Sequence, residues 1–390
     1  ETMLPYIDLV NELLELTIAP PLEGEEIPPY QTGGTSEERI AHPENIRGVA
    51  YEPLKTAVYP WSLPFDIDRE TRAQCLKQID LAQIDIDEVL WPGKWEKRWE
   101  DPALAYECLG LSTAEAAIIT GHQGKTIWEC WGYSENILLI TLAKDIQELM
   151  RRSGLSYDEL LQILDARYVN PETASPGQRK IKFTEDTTVP SCDTATMQLS
   201  GLDEAALDRF MRFVRLWRKL GWSIQDTDRA VRLLGDNTVD ENCLVQLAQL
   251  KRLQNRTKLS IEDLLVWWDQ DITTYLKYTP RGPVVMPTWY DRFISGQDSP
   301  LALDAAAAIY RLTTLSQVLK ISQEELAEYW TKWTHADPFD TPSKALLFFE
   351  QVDTLRQAGF TVYDLRFLLK DNAVGNQYVN IEQIITAENI

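Results

Sequence analysis

Residues 210–231, FMRFVRLWRKLGWSIQDTDRAV, contain the pattern that decides the fold. The apolar residues of the first half share one helical face, at spacings i, i+4 and i+7: Phe210, Val214 and Trp217. This helix is predicted to end at Gly221, because glycine accepts the left-handed backbone that closes a helix. Ser223 then starts a new helix as its N-cap, with Asp226 three residues later. The stretch therefore predicts one helix–turn–helix unit.

The same formula recurs along the chain: Gly or Lys, an apolar residue, Ser or Thr, and an acid three residues further on. Its six copies are Gly110-Leu111-Ser112 with Glu115, Gly154-Leu155-Ser156 with Glu159, Gly221-Trp222-Ser223 with Asp226, Lys258-Leu259-Ser260 with Asp263, Lys320-Ile321-Ser322 with Glu325, and Gly359-Phe360-Thr361 with Asp364. Successive copies lie 44, 67, 37, 62 and 39 residues apart. Because a helix pair needs about 35–45 residues, the two long intervals indicate insertions into a regular array.

We therefore predict an all-α fold, an irregular array of packed helix–turn–helix units with a small β-hairpin or ordered loop insertion. The predicted divisions are an N-terminal helical region with Pro- and Trp-rich packing segments over 1–100, helical units over 101–169, the insertion over 170–200, and further helical units over 201–390 with an irregular excursion at 279–300. In the insertion, Lys180-Ile181-Lys182-Phe183 alternates as a short strand does.

Individual segments carry more specific predictions. A short helix is expected over 7–16 and another from Thr35 or Ser36, separated by a Pro- and Gly-rich stretch. The segment 59–66, with two prolines and aromatic flanks, should pack as an extended strip before a helix capped by Asp66 or Asp68. The apolar residues before the Gly154 turn form one stripe: Leu138, Leu142, Ile146 and Leu149.

Later helical stretches follow the same rule. Helical periodicity is expected from Asp203 to about Thr273. Two further stripes comprise Leu326, Tyr329, Trp330 and Trp333, and then Phe348, Val352 and Leu355.

Bulk composition limits the class of partner. The chain has 390 residues, 44% of them hydrophobic, and a net charge of −22. Such an acidic surface repels phosphate backbones, so we expect no nucleic-acid partner. The sequence holds no run of 18 apolar residues that could span a membrane. Because the chain opens with Glu1-Thr2-Met3, we expect it to be a segment of a longer protein.

Chemistry-bearing motifs are few, and we predict no catalytic, cofactor or metal site. Gly121-His122-Gln123-Gly124-Lys125-Thr126 ends in the Gly-Lys-Thr of a phosphate loop, but Ile119 stands where that motif needs glycine, and the preceding residues favour a helix. The acid pairs Asp85/Asp87 and Asp269/Asp271 lie in stretches typical of a solvated face.

Histidine and cysteine spacing points the same way. The three histidines, His42, His122 and His335, are too far apart to form metal-ligand pairs. The five cysteines indicate buried or half-buried free thiols: Cys75, Cys108, Cys130, Cys192 and Cys243.

The 13 tryptophans are the unusual compositional feature. Trp91, Trp95 and Trp99 surround Pro92-Gly93 and are expected to plug a core. Five others lie at repeat turns or on apolar stripes: Trp217, Trp222, Trp267, Trp330 and Trp333. We interpret these as interhelical core, and an exposed aromatic patch for a protein or glycan is the alternative.

Several stretches resemble landmarks of one family, the A subunits of the Tc (toxin complex) insecticidal toxins. They are Leu4 to Glu12, Tyr59 to Asp66, Tyr106 to Leu111 with Ile118-Ile119-Thr120-Gly121, Cys192-Asp193 before Leu199-Ser200-Gly201-Leu202, Arg215 to Trp222, and Trp289 to Phe293. The resemblance covers nearly the whole chain. The chain differs from several relatives in lacking a large β insertion beside residues 121–153, which weighs against a receptor-binding role for this piece.

The resemblance implies a large secreted or cell-surface bacterial virulence protein that assembles as a pentamer around a translocation channel. An outer α-helical shell opens at low or high pH, and the assembly delivers an enzyme carried by the B and C subunits into a host cell. On this reading the chain is a non-enzymatic segment of that shell, with membrane and receptor contacts made by other parts of its parent. The competing hypothesis is an independent helical adaptor that binds a host protein or glycan.

Overall fold

The six repeated turns share one backbone geometry. We describe it from a computed structural model covering residues 6–22, 24, 47–122, 124–135, 138–173, 179–184, 197–269, 275–279, 282–286, 303–330, 337–361 and 364. In every turn the first residue has a left-handed φ between 54° and 79°, including the two lysines, Lys258 and Lys320. In every turn the Ser or Thr hydroxyl accepts the N–H of the acid three residues later, at 3.0–3.3 Å. The predicted turn formula is confirmed.

The acid of each turn closes the cap from the other side. In four turns its carboxylate accepts the backbone N–H of the Ser or Thr, at 2.7–2.9 Å. In the other two, the hydroxyls of Ser223 and Ser260 donate to Asp226 and Asp263 at 2.7 Å. Because these contacts are local, about six residues, from the left-handed residue to the acid, are enough to end one helix and start the next.

A seventh turn has the same shape with different residues. Asp80 takes the left-handed conformation, with φ 54°. The N–H of Leu81 donates back to the Leu76 carbonyl at 3.1 Å, and the N–H of Ala82 donates to the Asp85 carboxylate at 3.2 Å. Because alanine occupies the cap position, this turn has no side-chain hydroxyl, and the sequence formula misses it.

The described elements are mostly helices. The first half contains α1 Tyr6–Ile18, α2 Tyr51–Thr56, α3 Ile67–Lys77, α4 Gln83–Val89, α5 Pro102–Leu109, α6 Thr113–Thr120, α7 Ile127–Cys130, α8 Leu138–Lys144, α9 Ile146–Ser153 and α10 Tyr157–Asp165. The second half contains α11 Glu204–Leu220, α12 Ile224–Leu234, α13 Glu241–Thr257, α14 Ile261–Leu265, α15 Leu303–Leu319, α16 Gln323–Glu328 and α17 Pro342–Gln357. Two 3₁₀ helices lie at Gly48–Ala50 and Trp95–Glu100.

Four short strands among the residues the structure describes form two antiparallel pairs. Strand β1 (Lys182–Thr184) pairs with β2 (Gln198–Ser200), with Phe183 opposite Leu199. This confirms the predicted hairpin in 170–200. Strand β3 (Tyr275–Thr279) pairs with β4 (Gly282–Met286). At residues 279 and 282–286 the second pair corrects the prediction of an irregular excursion over 279–300. Pro283 is tolerated there because both strands of a two-stranded sheet are edge strands. Residues 287–300 lie outside the described part of the chain.

Two helix predictions need correction. The stripe from Leu138 to Leu149 is divided between α8 and α9, because Asp145 leaves the helix and its carboxylate caps α9 through the Glu148 N–H at 3.0 Å. The second is the helical periodicity expected to reach about Thr273. Its last helix, α14, already ends at Leu265, and residues 266–269 are not helical. The helix expected from Thr35 or Ser36 lies outside the described residues.

The chain folds as two compact units, each assembled from three separate segments. Unit 1 comprises Glu1–Ile86, Leu111–Leu155 and Ile181–Arg215, and unit 2 comprises Asp87–Gly110, Ser156–Lys180 and Leu216–Ile390.

The core of unit 1 is built on the segment 59–66. The prediction that this whole segment is extended is wrong, because the Leu63 N–H donates to the Pro60 carbonyl at 2.9 Å and the chain turns at Trp61 and Ser62. The Trp61 ring meets Trp131 edge-on at 4.6 Å, and Phe210 packs against both rings. The indole N–H of Trp61 donates to the Cys130 carbonyl at 2.8 Å. Asp66 caps α3 as expected, accepting N–H bonds from its first turn.

Helix α13 is the centre of unit 2. It packs chiefly against α5 and α17, and the residues on its buried side include Leu244, Leu247, Leu250 and Leu253. The predicted stripe on α17 is confirmed, since Phe348, Val352 and Leu355 are all buried. Leu326 and Tyr329 are buried as well, whereas Trp333 lies outside the described residues.

Four of the five cysteines lie in the described part of the chain. Cys130 and Cys243 are buried and Cys108 is half-buried, as predicted. Cys75 is exposed, because α3 buries none of its residues, and here the prediction is wrong.

Candidate functional site

The Gly-Lys-Thr segment forms a junction between two helices. Gly121, with φ 82°, ends α6, and Thr126 is the N-cap residue of α7. Lys125 lies 4.0 Å from Glu129, whose carboxylate accepts the Thr126 N–H at 2.8 Å. The element before the segment is the predicted helix. The lysine and threonine that a phosphate loop would direct at its ligand lie beside a carboxylate instead.

The candidate acids and histidines are dispersed. Asp85 is exposed and caps its own turn, and Asp87 is half-buried on the same helix. His122 is exposed, with Nδ1 3.0 Å from the Thr120 hydroxyl. His42, His335 and Asp271 lie outside the described residues. No group of three or more metal-ligating side chains occurs among the residues the structure describes.

The described tryptophans of the repeat turns are turned inward. Trp267 is fully buried, with its ring edge-on to Phe339 at 5.5 Å. Trp217 and Trp222 are half-buried, and their indole N–H groups donate to the Trp222 carbonyl and the Gln254 amide. Trp330 is half-buried too. The core interpretation is confirmed for Trp267, and none of the four is exposed.

The Trp-rich segment at 91–99 contributes to a cluster of charged side chains around Trp99. Trp99 is buried as predicted, and its indole N–H donates to Glu350 at 2.8 Å. The guanidinium groups of Arg98 and Arg252 lie 4.7 and 5.1 Å from its ring centroid, within cation–π range. These side chains border a cleft of about 730 Å³ against α17. The arginines that border the cleft have carboxylate partners. Their ion pairs link α17 to the 3₁₀ helix Trp95–Glu100 and to α13.

A second cavity, within unit 2, is the strongest candidate site, and we call it the ionic cavity. It has a volume of about 310 Å³ and is formed by the end of α10, one face along the length of α12, and single residues from other segments. Its charged lining residues are Asp165, Arg167, Arg179, Asp226, Asp228, Arg229, Arg232 and Asp269, and its amide residues are Gln162, Gln225 and Asn237. Four arginines therefore face four aspartates.

Two hydrogen-bonded ion pairs line the ionic cavity. Arg229 donates to Asp269 at 2.6 Å, with both side chains 16% exposed. Arg232 donates to Asp228 at 3.0 Å, and Asp228 also accepts the buried N–H of Tyr168 at 2.7 Å. Asp269 was expected on a solvated face, and the structure corrects this. The ion pair with Arg229, forty residues away in sequence, holds Asp269 at the cavity wall.

The remaining charges are less tightly paired. Arg179 approaches Asp165 only to 3.8 Å and Arg167 approaches Glu172 to 3.6 Å, both beyond hydrogen-bond length. Burial raises the pKa of Asp165, and the nearby Asp228 adds to the rise while Arg179 and Arg167 oppose it. Burial also raises the pKa of Asp226, against a lowering by its bond from Ser223.

The sequence pattern does not predict the ionic cavity. Its residues come from four separated stretches, and only Asp228 and Arg232 stand at the i, i+4 spacing of a helical ion pair. Asp226 belongs to a repeat turn and was assigned a capping role from the sequence. In the structure it also lines the ionic cavity. Proximity here is created by how α10 packs near α12.

Comparisons of the chain with protein-family models, with curated proteins and with solved structures each found no match. Among the described residues, no helix combines the length and apolar character needed to cross a membrane.

Proposed function

We propose that this chain is a structural, non-enzymatic segment of the α-helical shell of a Tc toxin A subunit. Its role is to form part of a wall, as one of five copies in a pentamer that works with B and C subunits. The parent protein acts outside the bacterium or at its surface and delivers a toxic enzyme into host cells. Receptor and membrane contacts belong to other parts of that parent.

The observation that carries the proposal is the repeated turn. Six turns of one geometry join successive helices, and their hydroxyls and acids are engaged in capping. Such units cannot bury all their apolar faces alone, so they are suited to extended walls.

The landmark residues that carry the family resemblance support the proposal through what they contact. Trp61 packs in the aromatic core of unit 1, and Asp66 caps α3. The Arg215 guanidinium binds main-chain carbonyls of the 58–63 segment. Trp222 bonds Gln254 on the following helix pair. Trp61, Arg215 and Trp222 each hold one part of the framework against another, and Asp66 fixes where α3 begins.

The exposed apolar face of helix α1 is the observation that keeps an adaptor as the second candidate function. Its acidic residue Glu15 is buried, accepting the Tyr51 hydroxyl at 2.6 Å and the Arg47 N–H at 2.8 Å. Its apolar residues point outward, with Tyr6 81% and Leu13 67% exposed. An outward apolar face is typical of a surface that another protein covers. In a shell, that protein is a neighbouring part of the assembly.

The test is the size and assembly state of the native gene product. We expect a reading frame beyond about 2000 residues, far above single-domain size. Negative-stain electron microscopy of that product should show five-fold particles, with the chain in the outer wall. An ordinary-length product that sediments as a monomer refutes the shell. If that monomer also gives saturable glycan binding in calorimetry, the adaptor is favoured in its place.

A further inference from the structure

The ionic cavity contains donors and acceptors that the described protein groups do not use fully. The side-chain nitrogen Nε2 of Gln225 is buried at its wall, and no hydrogen-bond acceptor for it occurs in the described part of the chain. Arg167 and Arg179 lie 3.6 and 3.8 Å from their carboxylate partners, beyond hydrogen-bond length, and one nitrogen of Arg179 donates to the Asn170 carbonyl at 3.1 Å, which leaves its other donors for a ligand. A buried amide N–H without an acceptor costs about 1–3 kcal/mol, so a ligand that supplies one is favoured.

We propose that the ionic cavity binds a small zwitterion, a molecule of free amino acid size with one ammonium and one carboxylate group. Arg167, Arg179 and the Gln225 amide offer donors for its carboxylate. Asp165 and Asp226 offer acceptors for its ammonium. This site goes beyond the shell role and does not depend on it.

The balance of charge selects this class of ligand. A simple anion entering the cavity meets four aspartates, and a simple cation meets four arginines. A zwitterion matches both sets at once, and the low-dielectric surroundings strengthen each contact. A neutral sugar is less well matched, because the lining residues among the described part of the chain include no aromatic ring for stacking. The volume of about 310 Å³ suits a molecule of this size.

Asp165 lines the ionic cavity 3.8 Å from Arg179, and the effect of burial on it agrees with the geometric argument. Burial disfavours its ionised form, since its pKa is raised even with two arginines nearby. A group whose folded-state pKa is raised in this way destabilises the fold at neutral pH. Asparagine at this position should therefore stabilise the protein. A carboxylate that weakens the fold but improves ligand binding is typical of a binding site.

The experiment screens the free L-amino acids at about 10 mM by thermal unfolding of the whole chain, then titrates the best of them by calorimetry. Blocking either charge of that compound, as its N-acetyl derivative or its amide, should weaken binding by about tenfold or more. Glucose, acetate and methylammonium serve as neutral, anionic and cationic probes.

Three variants separate binding from folding. Asp165→Asn should raise the unfolding midpoint and weaken the ligand by about tenfold, and Gln225→Ala should weaken it without lowering the midpoint. Asp158→Asn, an exposed aspartate on the same helix α10, is the matched control and should change neither.

The proposal is overturned if no amino acid shifts the midpoint, or if Asp165→Asn binds as tightly as the wild type. It is also overturned if one of the three singly charged or neutral probes binds in place of a zwitterion.

Discussion

Replacing Arg215 by methionine tests whether one buried guanidinium holds the 58–63 segment of unit 1. Arg215 is 5% exposed, and it donates to the carbonyl oxygens of Leu63 at 2.6 Å, Trp61 at 3.4 Å, and Val58. Methionine keeps the aliphatic bulk but removes every donor. The three carbonyl groups then lose their bonds to this side chain.

The expected loss can be worked out bond by bond. An unsatisfied buried acceptor costs about 1–3 kcal/mol, and the bond to Trp61 is long enough to count for little. The carbonyls of Val58 and Leu63 therefore give at most about 2–6 kcal/mol, because both residues are half-buried. This loss is partly offset because the guanidinium no longer has to be desolvated. Since a whole domain is stable by only about 5–15 kcal/mol, the variant should be severely destabilised.

Urea denaturation followed by tryptophan fluorescence is the assay, because Trp61 and Trp131 are in edge contact and should report loss of this core. Arg215→Lys should lie between wild type and Arg215→Met, since an ammonium group lacks the planar fork of the guanidinium. Arg72→Met, at an exposed arginine on α3, is the control. If Arg215→Met stays within about 0.5 kcal/mol of wild type, the 58–63 segment is held by other contacts and the reasoning fails.

Three further predictions concern single side chains. Ala82→Ser should add the hydroxyl that the seventh turn lacks and raise the free energy of unfolding by about 1 kcal/mol. An unchanged urea midpoint would show that a hydroxyl cap adds nothing to this turn. Lys258→Gly should stabilise the protein by about 0.5–1 kcal/mol, because Lys258 has a left-handed φ of 61°. Gly221→Ala should destabilise it by a similar amount. Equal urea midpoints for the wild type and both variants would contradict the left-handed assignment. Burial, helped by the bond to Glu15, raises the pKa of Tyr51 to about 12, so its contribution is complete below pH 10 and is lost as pH rises through about 12. Between those pH values Tyr51→Phe should therefore lose less stability than wild type in urea titrations, and parallel losses would rule out this tyrosine as a source of alkaline sensitivity.

The local predictions succeeded where a few neighbouring residues contain the whole cause. Gly154 with Ser156 and Glu159 form their turn through bonds that span three residues, so the sequence pattern alone is sufficient. The break at Asp145 was missed, although its cause is also local. An apolar stripe runs across it without interruption, and helical periodicity does not record a cap inside the stripe.

The candidate site behaved differently. Asp269 reads as a surface acid, and its partner Arg229 lies in another helix, so no spacing rule connects them. Cys75 was expected in a core because free thiols usually are, but α3 leaves it exposed. Burial of a polar or reactive side chain depends on which helices pack together, and that choice is made by long-range contacts.

The amino-acid sequence by itself determined where the helices of this protein begin and end at the six turns, and hence its all-α class. The reason is that left-handed residues and caps act over about one helical turn. The tertiary structure alone decided that four arginines and four aspartates from separate stretches would share one cavity. Their proximity follows from the packing of α10 near α12, which buries apolar surface and brings the charges with it.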